Sequence, residues 1–80
     1  MTIRVIFLGK LADLAGEPQR EFAGPLDWAG LLAALGPDLA EAVRGERVKL
    51  ALDGTVLADK TALHALNGSE IALLPPVSGG

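Results

Sequence analysis

The residues of this chain best suited to chemistry stand at its end, Pro75-Pro76-Val77-Ser78-Gly79-Gly80. Two consecutive prolines supply no backbone donors, so they stop sheet pairing and favour an extended, polyproline-like exit. Six residues at full extension reach about 20 Å. Gly80 has no side chain, so with Gly80 as the terminus its carboxylate can enter a channel too narrow for any other residue. A terminal carboxyl group ordinarily has a pKa of about 3.5 and is ionised at neutral pH. In that state it can attack the α-phosphate of ATP as a nucleophile. Small terminal residues alone ordinarily mean only a frayed end. The di-proline, following a final apolar strand, gives this end a direction.

Other reactive types are sparse. His64 is the single histidine, and neither a catalytic triad nor a histidine metal site can be built without companions; Asp59 and Ser69 nearby do not supply them. Ser78 lies in the tail with no candidate base and reads as a small, permissive residue. Gly9 and Gly16 lack the spacing and the strand-to-helix context of a phosphate-binding loop. The carboxylates are dispersed, with no paired acid and base. No metal site is expected. With no cysteine in the sequence, disulfides, thiolate nucleophiles and cysteine-based metal sites are excluded.

The elements that must position the tail fit in one domain of 80 residues, half of them hydrophobic. Only Phe7, Phe22 and Trp28 are aromatic, so Leu, Val, Ile and Ala must fill the core. The net charge is −3 and the seven Lys and Arg residues are scattered, which argues against a nucleic-acid surface. Val5 to Leu8, the longest apolar stretch near the N-terminus, is too short for a signal sequence or a membrane span. No membrane association is expected, and a cytoplasmic location follows by default.

Thr2 to Leu8 reads as a strand, with Ile3, Val5 and Phe7 on one face and Arg4, Ile6 and Leu8 on the other. Leu11 and Leu14 suggest a short helical turn, stopped by Gly16 and Pro18. Gln19 to Phe22 follows as a hairpin partner of the first strand. Asp27 has the character of a helix N-cap, and Trp28, Leu31, Leu32 and Leu35 form one apolar stripe, on which Trp28 reads as core. Gly36-Pro37 ends that helix, and a second short one opens at Asp38 with Leu39, Ala42 and Val43 inward. Val48 to Leu52 and Thr55 to Leu57 flank the hairpin turn Asp53-Gly54. Asn67-Gly68 turns into the last strand, Glu70 to Leu74.

Hairpin, helix, then further strands is an α+β order, in which one main helix packs across a mixed sheet. That is the β-grasp, or ubiquitin-like, arrangement, with the most apolar strands, first and last, paired at its centre. The expected division is a body over residues 1–74 and an extended tail over 75–80.

The ending Asn67-Gly68-Ser69-Glu70-Ile71-Ala72-Leu73-Leu74-Pro75-Pro76-Val77-Ser78-Gly79-Gly80 resembles that of the small subunit of molybdopterin synthase, the MoaD family. So does the opening, Val5 to Gly16; Leu31 to Leu35 and Val48 to Val56 fit its helix and middle hairpin. The resemblance implies a sulfur carrier. A ubiquitin-activating-type enzyme adenylates Gly80 with ATP, and a sulfur donor converts the adenylate to a thiocarboxylate. The large synthase subunit then takes up the tail, Gly79 included, and sulfur passes to cyclic pyranopterin monophosphate within a heterotetramer. No permanently bound cofactor is implied. Leu8 and Leu74 stand where many relatives carry aromatic residues and can supply an apolar partner-binding patch, continued by Pro75, Pro76, Val77 and Ser78. Other readings are a carrier of the related ThiS type serving thiamin or nucleoside thiolation, a protein modifier joined through its C-terminus, and a non-catalytic binding module.

Overall fold

A computed structural model describes residues 1–76 of the chain. β1 (Ile3–Phe7) buries Ile3, Val5 and Phe7 and turns Arg4 and Ile6 to the opposite face, as a two-residue period dictates. After α1 (Lys10–Ala15), the strand β2 (Gln19–Phe22) returns antiparallel, setting Ile3 opposite Phe22 and Ile6 opposite Gln19. A two-residue strand, β3 (Leu26–Asp27), leads into α2 (Trp28–Leu35). The Asp27 carboxylate accepts from the Gly30 N–H at 2.7 Å, satisfying one of the donors that a helix start leaves open.

α3 (Pro37–Arg44) follows directly, with Pro37 at its first position, where a missing N–H costs no hydrogen bond. β4 (Lys49–Leu52) and β5 (Thr55–Val56) form the next hairpin. Its turn places Asp53 at φ 50° and Gly54 at φ 87°, the pair of positive angles that an Asp-Gly hairpin turn supplies. Asp53 then serves twice: its N–H donates to the Glu70 carbonyl at 2.8 Å, and its carboxylate accepts from the Glu70 N–H at 2.9 Å. A 3₁₀ turn (Lys60–Ala62), β6 (His64–Ala65) and β7 (Glu70–Leu74) complete the chain to the di-proline.

The main sheet has the order β2-β1-β7-β4-β5; β1 and β7 pair in parallel, and the other neighbouring pairs are antiparallel. Leu11, Leu31, Leu35, Leu39 and Val43 from the helices meet Ile3, Val5, Phe7, Leu50, Ile71 and Leu73 from the sheet in one core. This is the expected α+β, β-grasp architecture, with helices on one face of a mixed sheet.

Three details differ from the sequence expectation. α2 and α3 are equal in length, at eight residues each, rather than one main helix and a lesser one. A second sheet pairs β3 with β6, Leu26 opposite Ala65 and Asp27 opposite His64; strands of two residues are too short to show a period. Trp28, on the apolar stripe, is only half buried, because Leu31 and Leu35 take the inward positions. Its ring instead lies 5.9 Å from the Lys60 ammonium, which also donates to the carbonyls of Gly45 and of Val48, the latter at 2.8 Å. Partial burial, then the nearby Lys49 charge, lowers the Lys60 pKa from its ordinary value.

Leu50, fully buried at the sheet centre, tests this core. Leu50→Ala is expected to lower the unfolding free energy in urea by about 2–5 kcal/mol; a loss below about 1 kcal/mol contradicts the packing. The 3₁₀ turn tests the electrostatics. The Asp59 carboxylate accepts from the Thr61 hydroxyl at 2.6 Å and from the Thr61 N–H at 3.0 Å. These bonds, the hydroxyl's first, hold its pKa below the ordinary 3.8. A carboxylate depressed by folding contributes stability above its unfolded pKa and loses it as pH falls through the folded one. Thr61→Val is therefore expected to move the Asp59 titration, followed by carboxyl carbon NMR, back toward 3.8.

Candidate functional site

The face of the main sheet turned away from the helices is where the tail begins. Register places Gln19, Ile6, Ala72, Ala51 and Val56 in one row across its five strands. Toward β7's C-terminal end the next rank holds Leu74, with Lys49 opposite it on β4. Leu8 joins this rank, since its N–H continues the β1–β7 ladder to the Leu73 carbonyl at 3.3 Å. Toward the other end of the face the side chains are charged. Arg4 stands between Glu21 and Glu70 in the register, and its guanidinium is 3.8 Å from the Glu70 carboxylate. The face is thus charged at one end and, Lys49 on β4 aside, apolar at the end from which the chain leaves.

Leu8 is 41% exposed and Val56 53%, while Ile6, Ala72 and Leu74 are half buried against their neighbours. Pro75 is half buried and Pro76 exposed. Of the residues expected to meet a partner, Leu8, Leu74 and Pro75 fall together at this edge and Pro76 follows them in the chain; Val77, Ser78, Gly79 and Gly80 lie outside the described residues. Sequence reasoning overlooked Ala51 and Val56. Counting outward from the Asp53-Gly54 turn pairs Ala51 with Val56 and puts both on this face, so the signal was present.

The remaining reactive types stay apart from this face. His64 is exposed on β6, in the second sheet. Among the described residues no group of three or more histidines and acids is close enough to hold a metal ion. Among them too, no helix is long and apolar enough to cross a membrane.

A β-grasp body whose last strand runs from the sheet centre into a Pro-Pro-Val-Ser-Gly-Gly ending defines the class of small ubiquitin-like carriers and modifiers. Residues 5–80 match the model of the ThiS family, and the chain belongs to that family. Among solved structures it is similar to SAMP1 of Haloferax volcanii, at 26% identity and a TM-score of 0.70 over 100% of both chains. Small archaeal modifier protein 1 of Methanosarcina acetivorans shares the fold at 23% identity and a TM-score of 0.73, over 99% of this chain and 96% of that one. So does a complex of subunits 1 and 2 of molybdopterin-converting factor from Helicobacter pylori, at 24% identity and a TM-score of 0.63 over 100% of both chains. No curated protein matches the sequence.

The alternation of faces gives a paired test. Leu8→Glu, on the outward face, is expected to change stability by no more than about 0.5 kcal/mol. Phe7→Ala, one residue earlier and 2% exposed, is expected to cost about 3–5 kcal/mol in the same urea titration. Equal losses contradict the assignment of faces.

Proposed function

We propose that this chain carries sulfur as a thiocarboxylate on Gly80 and delivers it in the synthesis of molybdopterin. The observation that supports this reading is the delivery of the chain, by a central strand, to Pro75 at the edge of an apolar strip. A partner that covers Ile6, Leu8, Ala72 and Leu74 meets the root of the tail at the same time. In the proposed reaction the Gly80 carboxylate attacks the α-phosphate of ATP on a ubiquitin-activating-type enzyme, and pyrophosphate leaves. A sulfur donor then attacks the acyl carbon and AMP leaves. With a persulfide as the donor this gives an acyl disulfide; a second thiol then attacks the donor's inner sulfur, forms a disulfide with it, and releases the thiocarboxylate on Gly80.

The second partner is a large synthase subunit, in whose active site sulfur passes to cyclic pyranopterin monophosphate. The resemblance of the ending to small synthase subunits, and the fold shared with a two-subunit molybdopterin-converting factor, favour this partner. The sequence identity to SAMP1 favours a second reading, in which the same activated carboxyl group is joined to protein lysines. Membership of the ThiS family keeps a thiamin pathway as the third.

Incubation with the activating enzyme, ATP and a sulfur donor tests the reading. The chain is expected to gain about 16 Da, one sulfur for one oxygen, on its C-terminal peptide. A tag after Gly80 is expected to block charging while an N-terminal tag does not, and Leu74→Glu to weaken large-subunit binding by calorimetry more than it lowers stability. Sulfur found elsewhere, or a C-terminally tagged chain that charges normally, overturns the carrier reading. An isopeptide to lysine in place of sulfur transfer selects the modifier. A charged chain that converts no pyranopterin with the large subunit selects another thiolation pathway.

A further inference from the structure

Between β1 and α1 the chain makes a tight turn, Leu8-Gly9-Lys10-Leu11, closed by the Leu11 N–H on the Leu8 carbonyl at 3.1 Å. Gly9, at φ 54° and ψ −129°, has the angles of the first central residue of a type II′ turn, a region that L side chains avoid. Its carbonyl then accepts from the Ala12 N–H at 3.1 Å, so the turn feeds α1 without a break. The turn adjoins the tail. A Cβ added to Gly9 would lie 3.1 Å from the Pro75 Cγ, closer than the roughly 3.5–4.0 Å at which carbon atoms rest. One residue back, the Leu8 N–H holds the Leu73 carbonyl.

We propose that this turn is the seat that aims the tail, and that Gly9 is a positioning residue: its missing side chain lets the Pro75 ring rest closer to the turn than a Cβ would allow. Proline has a fixed φ. A ring held against the body therefore sets the direction in which the following backbone leaves, and with it the approach of Gly80 to an activating enzyme. The inference rests on the carrier reading for its consequence, but the seat itself is a property of the isolated chain.

Two measurements on the full chain test it. In NMR spectra of the native protein, a nuclear Overhauser effect is expected between the Gly9 α-protons and the Pro75 ring. Gly9→Ala is expected to shift the α-resonances of Leu74, Pro75 and Pro76. Absence of the contact in the native chain, or unmoved tail resonances in a folded Gly9→Ala, overturns the seat whatever the chain's function.

The second measurement is adenylation, with the chain as the enzyme's substrate. Misdirection of the tail leaves the apolar face free to dock, so Gly9→Ala is expected to lower kcat of the order of tenfold with KM unchanged. A mere loss of folded chain lowers the substrate concentration and raises KM instead. With Pro75→Ala already in place the ring is gone, and Gly9→Ala is expected to cost no further kcat. An unchanged kcat, or a full additional loss in the double variant, overturns the positioning role. Failure of the native chain to be adenylated overturns the carrier reading instead, and the resonance measurement still decides the seat.

Discussion

The parallel pairing of β1 with β7 is the constraint on which the rest of this molecule depends. It sets Arg4 beside Glu70 and Phe7 beside Leu73, joining segments from opposite ends of the chain at the centre of the sheet. Parallel neighbours cannot be joined by a tight turn, so everything between them must cross over. Here that crossover contains α1, α2 and α3, and they cover the face that Ile3, Val5, Phe7, Ile71 and Leu73 turn inward. A terminal strand is ordinarily prone to fray. β7 is flanked by β1 on one side and β4 on the other, so the segment leading to the tail is among the best-supported in the fold.

The same pairing gives the outer face its asymmetry. Because β1 and β7 run in one direction, their C-terminal ends, Leu8 and Leu74, meet at one edge, and their charged starts, Arg4 and Glu70, meet at the other. The partly exposed ion pair there contributes little to stability. Its effect is to keep that end wet, which confines the apolar strip to the end from which the tail departs. On the carrier reading, a partner that finds the strip by apolar contact has found the tail's root without a separate signal.

Much of this was legible in the sequence because the residues concerned obey one rule at a time. Ile3, Val5 and Phe7 alternate over a full strand, Asp27 caps a helix that follows at once, and Asp53-Gly54 sits between two apolar runs. The β3–β6 sheet was hidden because its strands have two residues each and rest on tertiary contact rather than on pattern. Trp28 misled for a related reason: its helical stripe names a face but not a depth, and Lys60, distant in sequence, borders its ring. Gly9 lacks the pattern of a phosphate-binding loop, and its local sequence points to no other role. Its backbone angles and its neighbour Pro75 depend on how the ends of β1 and β7 meet, which no local pattern encodes.

On the carrier reading, a reacting group that is a backbone carboxylate asks something unusual of the body that presents it. No side chain near the exit needs to donate or accept a proton; among the described residues the outward face near Pro75 offers Leu8, Leu74 and Lys49, and His64 lies in the other sheet. On the proposed reading, nucleophile activation and leaving-group chemistry belong to the enzymes that receive the tail. What the body must supply is orientation, since a reacting group presented in the right geometry removes much of the entropic barrier before any bond changes. Orientation is a property of rigid elements. The central strand, the di-proline that cannot rejoin the sheet, and the turn at Gly9 that lets the first of those prolines sit close are three successive constraints on one direction.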